Sequence, residues 1–188
     1  SPALAVTERF DIDEAKIFLR SQTATDAEDV LIEGYISAAR VIAEILQGRD
    51  LIPKQYDLHL DAFLCNEIEL RHPMRTVDLI EYTNSDGNTT AMAANEYFVD
   101  AYRGLVMPPY GESWPFFTPA PASAVLIRFT SGFAINDPYW LHGGAQVMQG
   151  MRSLITLWYW NRIPFVPFGS SNAAKELPYG VTAMLSYG

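Results

Sequence analysis

The chain has 188 residues and a formal net charge of -9 at pH 7, and 49% of its residues are hydrophobic. A chain of this length and apolar content is expected to fold as one domain, or as one domain with an insertion, and not to be disordered. The acidic balance argues against wrapping of nucleic acid, because phosphate binding depends on Lys and Arg. The single cysteine, Cys65, excludes an intramolecular disulfide framework.

The N-terminal region predicts two helices. Asp11 and Glu14 have the spacing of a capping box at the start of a short helix, and Thr25 and Glu28 repeat that spacing before a long one. Gly48 is expected to end the long helix in a left-handed conformation. A 4-3-4-3 stripe is expected to face the core, made of Leu31, Tyr35, Ala38, Ile42 and Ile45.

After Pro53 the pattern changes from helical to alternating, which predicts a strand beginning near Tyr56. Ser85 to Asn88 has the composition of a hairpin turn. The Pro-rich segment from Pro108 to Pro121 is expected to be an ordered excursion, because it is too apolar for a solvated linker. The remaining strand-like runs are Ile68 to Leu70, Val77 to Tyr82, Tyr97 to Val99, Leu105 to Met107 and Val125 to Phe129.

A third helix is expected to open at Asp137 and Pro138, as N-cap and first position, and to stop at Pro164. Its clearest stripe is Val147, Met151, Leu154 and Trp158. The fold class is therefore α+β, with a helical core of about three helices and an inserted small, mainly antiparallel β-sheet. We expect one domain over 1–188, with helices in 1–52, the β region in 53–133, and a helix and tail in 134–188.

No residues with the spacing of a catalytic, cofactor or metal site stand out. His59, His72 and His142 are scattered and lack ligand partners at zinc spacing. Asp57 and Asp61 flank His59 on one strand face, an arrangement that fits either a solvated strand side or, as a third hypothesis, a hydrolase. We expect no enzymatic activity.

The third helix ends in Trp158, Trp160 and Arg162, which place large groups on several sides. Aromatic residues and Arg are enriched in interface cores, so this end is a candidate subunit contact; the alternative is that both Trp side chains fill the core. The longest apolar run, 154–168, is interrupted by polar residues and prolines and is too short to span a bilayer. The N-terminus has no basic flank before an apolar run, so we expect no signal peptide and a soluble protein without membrane contact.

A series of short signatures follows in a fixed order along almost the whole chain. Its main pieces are Asp13-Glu14-Ala15-Lys16, Ala39-Arg40 with Glu44, Gly48-Arg49, Leu51-Ile52, Tyr82, Asp86-Gly87, Tyr110 to Pro115, Arg128-Phe129, Trp158-Tyr159 and the ending Leu177 to Val181. Taken together, these signatures resemble the head-tail connector, or adaptor, family of tailed bacteriophages and gene transfer agents.

The resemblance implies a virion neck component, assembled in the host cytoplasm. Such a subunit forms a dodecameric ring beneath the portal protein and provides a platform for a stopper or tail protein, without catalytic residues. DNA would pass through the ring without sequence-specific binding, and an acidic lining would avoid retaining it. The alternative is a small-ligand or carbohydrate-binding module whose pocket is lined by Trp114, Trp140 and Trp160.

Two further expectations follow for a ring. Arg40 and Glu44 are four residues apart and lie off the predicted buried stripe, so we expect them at a subunit boundary with the end of the third helix. The segment 170–187 begins with small polar residues and then becomes apolar, which is typical of a tether that orders on a partner. Its residues predicted to dock on the portal are Leu177, Pro178, Tyr179, Val181 and Leu185. The alternative is that this segment packs back on its own helical core.

Overall fold

The computed structural model describes residues 8–19, 26–63, 66–160 and 179–186. The chain divides into two compact units: a β unit of residues 52–134, and a helical unit that combines residues 7–51 with 135–188. The helices are α1 (Ile12–Leu19), α2 (Asp26–Gln47), α3 (Gly143–Trp160) and α4 (Tyr179–Ser186). Helices and antiparallel sheets are thus both present, and the predicted α+β class is confirmed.

Two helix-end signals act as the sequence predicts. The backbone N–H of Glu14 donates to Asp11 Oδ1 at 2.7 Å, which is the capping bond at the start of α1. Gly48 follows α2 with a φ of 66°, the left-handed conformation that glycine adopts without a Cβ penalty. The Thr25 cap lies outside the described residues.

The predicted buried stripe of α2 is wrong by one position. The buried apolar residues are Ile32, Ile36, Ala39 and Ala43, and each precedes or follows a residue of the predicted stripe. Ala38 and Ile45 are exposed instead. A shift of one residue rotates the buried face by about 100° around a helix with 3.6 residues per turn. Helix α2 therefore presents a different side to its unit from the one that periodicity indicated.

The third helix begins later than predicted. Asp137 does act as a cap, because its side chain accepts from the N–H of Tyr139 at 2.9 Å, but it opens a 3-10 helix over Pro138–Leu141. Helix α3 starts after this turn, at Gly143. Burial raises the pKa of Tyr139, whose hydroxyl lies 3.2 Å from Gln47 Oε1. The predicted stop at Pro164 lies outside the described residues.

The β unit contains two antiparallel sheets where the sequence predicts one. A four-stranded sheet has the order β1-β7-β3-β4, and a three-stranded sheet has the order β2-β6-β5. The turn at 85–88 is confirmed as the link into β4, a strand that the sequence analysis missed. The strands are β1 (Lys54–Leu60), β2 (Ile68–Glu69), β3 (Met74–Thr83), β4 (Thr89–Ala91), β5 (Phe98–Asp100), β6 (Leu105–Met107) and β7 (Val125–Ser131).

One face of the four-stranded sheet forms the core of the β unit. Strand β7 alternates buried and half-buried residues, with Val125, Ile127 and Phe129 inside. The excursion 108–121 contributes Trp114, which is buried and stacks on Phe63 at a ring-centroid distance of 4.6 Å. The Pro-rich segment is therefore ordered, as predicted, because its aromatic side chains complete this core.

The two ends of the β unit lie side by side. Lys54 at the start of β1 pairs with Ser131 at the end of β7. Gly132 has a φ of 107°, and a Cβ built on it would lie 1.9 Å from the carbonyl oxygen of Ile52. Only glycine fits this approach, because any other side chain would collide with backbone.

Candidate assembly surfaces

Arg40 and Glu44 belong to a buried ion-pair cluster inside the helical unit. They are 8% and 4% exposed. Arg40 Nε lies 3.0 Å from both carboxylate oxygens of Glu8, and Arg40 Nη1 donates to Glu44 Oε2 at 2.9 Å. Glu44 Oε1 accepts from the N–H of Leu51 at 3.0 Å. Arg40 and Glu44 therefore lie inside the helical unit, where one guanidinium is shared between two carboxylates, and their predicted place at a subunit boundary stays a prediction.

This cluster explains the signature around Gly48-Arg49-Asp50-Leu51-Ile52. Gly48 turns the chain out of α2, and the Glu44 carboxylate then holds the backbone at Leu51. A buried carboxylate that accepts from a guanidinium and from a backbone N–H has both oxygens satisfied. The motif thus fixes the exit of α2 within the helical unit.

The two tryptophans at the end of α3 differ in exposure. Trp158 is half-buried, and its ring centroid lies 5.9 Å from that of Tyr35 on α2. Trp160 is 67% exposed and contacts Tyr159 edge-on at 5.4 Å. Arg162 lies outside the described residues. Trp160 is therefore the described member of this group that is open to a neighbour, and Trp158 packs largely within the unit.

The C-terminal helix α4 packs on its own unit. Leu185 is fully buried, and Gln47 Nε2 donates to its carbonyl oxygen at 2.8 Å. A Cβ on Gly150 of α3 would lie 2.7 Å from Leu185 Cδ2, so the glycine makes room for this side chain. Leu185 is thus buried within its own unit, and its predicted part in portal docking stays a prediction. Val181 is half-buried; Leu177, Pro178 and the side chain of Tyr179 lie outside the described residues.

Helix α2 carries a second apolar surface that the sequence analysis did not separate from the buried one. We define the outward face of α2 as Val30, Gly34, Ala38, Val41 and Ile45, all of which are exposed. Val30 is 70% exposed and Ile45 is 72% exposed. The signal was present in the sequence, because a helix with apolar residues on two opposite sides shows two competing stripes.

The open face of the four-stranded sheet carries an interlinked set of polar side chains. Arg128 donates to both carboxylate oxygens of Asp57, which lies directly opposite on β1, at 2.7 Å each. Asp78 accepts from Gln55 at 3.0 Å, from Thr76 at 2.9 Å and from Thr130 at 3.0 Å. These bonds tie β1, β3 and β7 together, so the polar side chains of this face hold one another in place.

The hydrolase hypothesis does not fit this face. The hydrogen bonds from Arg128 hold the pKa of Asp57 below its ordinary value of 3.8 and raise the pKa of Arg128. Asp61 accepts from the backbone N–H of Ser123 at 2.9 Å. Both carboxylates are thus occupied by other donors, and His59 forms no acid-base pair with either among the described residues. The solvated strand side is the interpretation that the structure supports.

The Trp-lined pocket does not form as predicted. Trp114 and Trp140 are each buried in their own unit, whereas Trp160 is exposed. A cleft of about 520 Å³ lies in the β unit and is lined by residues 58–62 and 67–69, without any of these tryptophans. Within the described ranges, no group of three metal-ligating side chains comes together and no helix is long and apolar enough to cross a membrane.

The described residues thus define an α+β fold with an exposed apolar surface on α2 and a network of hydrogen-bonded polar side chains on the open face of the four-stranded sheet. No protein-family model matches the chain, and no curated protein matches it. The fold does match solved structures of gene transfer agent (GTA) particles. A chain from the neck of an empty GTA particle, computed with C6 symmetry, shares it with a TM-score of 0.68 and 23% identity, covering 97% of this chain and 91% of that one.

Two further matches agree. A chain in the virion of a native GTA particle has a TM-score of 0.68 and 22% identity, over 97% of this chain and 90% of that one. A chain in the neck of a native GTA particle, computed with C12 symmetry, has a TM-score of 0.63 and 21% identity, over 98% and 93%. The resemblance indicated by the sequence signatures is therefore confirmed at the level of the fold.

Proposed function

We propose that this chain is a structural subunit of a virion neck: a head-tail adaptor that forms a ring beneath the portal and joins the capsid to a stopper or tail. The observation that carries the proposal is the match to GTA neck chains over nearly the full length of both partners. Those necks were computed with C6 and C12 symmetry, which supports a ring, and a dodecamer fits the higher symmetry. Assembly in the host cytoplasm and the absence of catalytic activity belong to the same proposal.

The charge of the β unit supports a role next to passing DNA. Residues 52–134 contain ten acidic and five basic side chains. Asp57 stays ionised because Arg128 lowers its pKa, and Asp78 is held by three neutral donors. A duplex gains affinity by exchanging counterions for Lys and Arg, and Arg128 on the open sheet face is already paired with Asp57. We propose that this unit contributes to the DNA channel without retaining DNA.

We propose that the C-terminal segment docks on the portal, with α4 already packed on the helical unit before docking. Leu185 anchors α4 to the helical unit through Gly150 and Gln47. Met184 is exposed on the same helix, one turn after the exposed Gly180. We propose that α4 is a pre-positioned docking element whose exposed side, with the residues that precede it, contacts the portal. Pre-positioning lowers the entropy cost of binding relative to a free tether.

The decisive test of the function is removal of the chain from the particle-producing cell that encodes it. We expect DNA-filled heads and free tails that fail to join, with joining restored by the wild-type chain. Electron microscopy of particles carrying a labelled chain should place the label at the neck. Tailed particles in normal numbers without the chain, or a label located elsewhere on the particle, would refute the proposal.

The portal contact has a matched pair of substitutions on α4. Met184→Asp should reduce recovery of the chain on portal-containing heads by about tenfold, the effect of ~1.4 kcal/mol of lost affinity. Ser186→Asp places the same charge at another exposed position of the helix and serves as the control. Equal recovery of both variants at the wild-type level would assign portal docking to another surface.

A further inference from the structure

The outward face of α2 is a continuous apolar strip on the longest helix of the chain. Its five members, Val30, Gly34, Ala38, Val41 and Ile45, follow one another at intervals of four, four, three and four residues. These intervals return to one side of a helix at each turn. The strip therefore runs along most of the 22 residues of α2.

This strip lies on the side of α2 opposite the buried residues. At about 100° per residue, it is centred roughly 170° from the stripe that contains Ile32 and Ala43. The half-buried Leu31, Tyr35 and Ile42 extend it to an arc of about 140°. None of the eight residues in this arc is charged. The other sides of the helix carry the acidic residues Glu28, Asp29, Glu33 and Glu44 and the basic residue Arg40.

A strip of this kind calls for a partner. Isolated apolar side chains on a surface are ordinary, but contiguous exposed apolar patches mark interaction sites. An ordinary surface helix has one apolar stripe and a polar opposite side. Helix α2 has a complete inner stripe, from Ile32 to Ala43, and a second one outside. The second stripe adds nothing to the core of its own unit, since its members are exposed.

Charge identifies the kind of partner. The strip contains no Lys or Arg, so it offers nothing to the phosphates of nucleic acid or to an anionic membrane surface. Two copies of a chain with a net charge of -9 repel each other, and an uncharged strip adds nothing to that repulsion. Gly34 and Ala38 have the smallest side chains of the strip, so the backbone of a neighbouring element can approach α2 closely at these positions.

We propose that the outward face of α2 binds a second copy of this chain and is one side of the contact between neighbouring subunits in the ring. The inference rests on the proposed neck function, which requires each subunit to meet two identical neighbours. In a closed ring the contact is head-to-tail, so this face meets a different surface of the next subunit. It replaces Arg40 and Glu44 as the part of α2 that forms the boundary.

The test compares exposed apolar positions changed to the same charged residue. Val41→Asp and Ile45→Asp lie on the strip, and Leu141→Asp is the matched control, because Leu141 is 80% exposed in the same unit but outside α2. Sedimentation of each purified chain over a range of concentrations measures association above the 21.0 kDa monomer. We expect the wild type and Leu141→Asp to form multimers, and both strip variants to need at least about tenfold higher concentration, equivalent to ~1.4 kcal/mol per contact.

A mixing experiment examines the head-to-tail geometry. A strip variant keeps its other contacting surface, so it should add to one end of a growing assembly and prevent closure. A minor fraction of Val41→Asp mixed with wild type should therefore shorten wild-type assemblies. Assemblies that ignore the variant would contradict the head-to-tail contact through this face.

Several results would overturn the inference. These are a wild-type chain that stays monomeric at every concentration, strip variants that associate like the wild type, and an equal loss in Leu141→Asp. A fall in the thermal stability of the monomeric strip variants, with association unchanged, would show that the chain covers its own strip. The position of the chain in the particle tests the proposed function independently. A labelled wild-type chain found in the neck supports the proposed function whatever the sedimentation shows. Association through the strip by a chain that is not found in the neck would refute the neck function but not the self-contact.

Discussion

Replacing Arg40 by Leu should destabilise the helical unit more than removal of a partly exposed cation such as Lys16. The guanidinium of Arg40 bonds both oxygens of Glu8 and one oxygen of Glu44. Leu fills much of the same volume but leaves two carboxylates without their cation. Glu44 is then the main problem, because it is buried and its Oε2 loses the guanidinium donor, while Oε1 still accepts from the N–H of Leu51.

The size of the effect follows from the burial of the two carboxylates. Removing one partner of a buried ion pair costs about 3–5 kcal/mol. The Glu8 side chain is 20% exposed and can regain water, whereas that of Glu44 is 5% exposed and cannot. We therefore expect the lower end, about 3 kcal/mol. For a protein of this size, about 3 kcal/mol corresponds to a fall in Tm of roughly 6–12 °C.

The assay is urea and thermal unfolding followed by far-ultraviolet circular dichroism, at a concentration where all variants have the same mass. Lys16→Met is the control: it removes one cation from the same unit, in a partly exposed pair with Asp29. Its cost should stay below about 1 kcal/mol. Arg40→Lys should fall between the two, because Lys keeps the charge but not the forked geometry. If Arg40→Leu and Lys16→Met lost equal stability, the cluster would not hold the helical unit as argued.

Two other outcomes can be measured on the free chain. Leu185→Ala should lower the free energy of unfolding by about 2–4 kcal/mol, because it leaves a cavity where the Leu185 side chain packs against Gly150. Limited proteolysis of this variant should then cut near α4 first. A variant that stays stable and uncut there would contradict this packing. Arg128 lowers the folded-state pKa of Asp57 below its ordinary value of 3.8. The ionised carboxylate therefore stabilises the fold above pH 3.8 and loses that effect as the pH falls through the folded-state pKa. The Tm advantage of wild type over Asp57→Asn should then be constant near neutrality and disappear in acid. An advantage that grows as the pH falls would show that the ion pair is not its source.

The sequence predicted where α2 lies but not which side of it is buried. The predicted stripe, which includes Ala38 and Ile45, differs by one position from the buried one, which includes Ala39 and Ala43. Periodicity could not choose between them because α2 is apolar on two sides. The charged pair Arg40 and Glu44 then misled the assignment further, since ionic residues are usually exposed and only their pairing within the subunit permits burial.

In the β region, local sequence patterns predicted strands and a turn correctly, whereas the pairing of strands that are distant in sequence could not be predicted. Strand β6 was predicted with its observed bounds, and the turn at 85–88 was placed correctly, because alternation and turn chemistry are read from neighbouring residues. The separation into two sheets depends on β2 pairing with β6, some 37 positions away, through only two residues of β2. Burial of Leu185 in α4 likewise depends on the absence of a side chain at Gly150 in α3. The residues around Leu185 in the sequence do not indicate that this space exists.

The adjacency of the two ends of the β unit bears on the order in which the chain folds. Helix α2 and helix α3 are separated in sequence by the whole β unit, and closing a flexible loop of about 80 residues costs on the order of 4 kcal/mol of chain entropy. Pairing of Lys54 with Ser131, sealed by the glycine at 132, closes that loop at its base. Refolding with pulsed hydrogen exchange should then protect the amides of β1 and β7 before those of α2, and protection in the reverse order would rule this sequence of events out. Once the β unit has formed, the flexible chain that still separates α2 from α3 is short, so their contact costs much less loop-closure entropy.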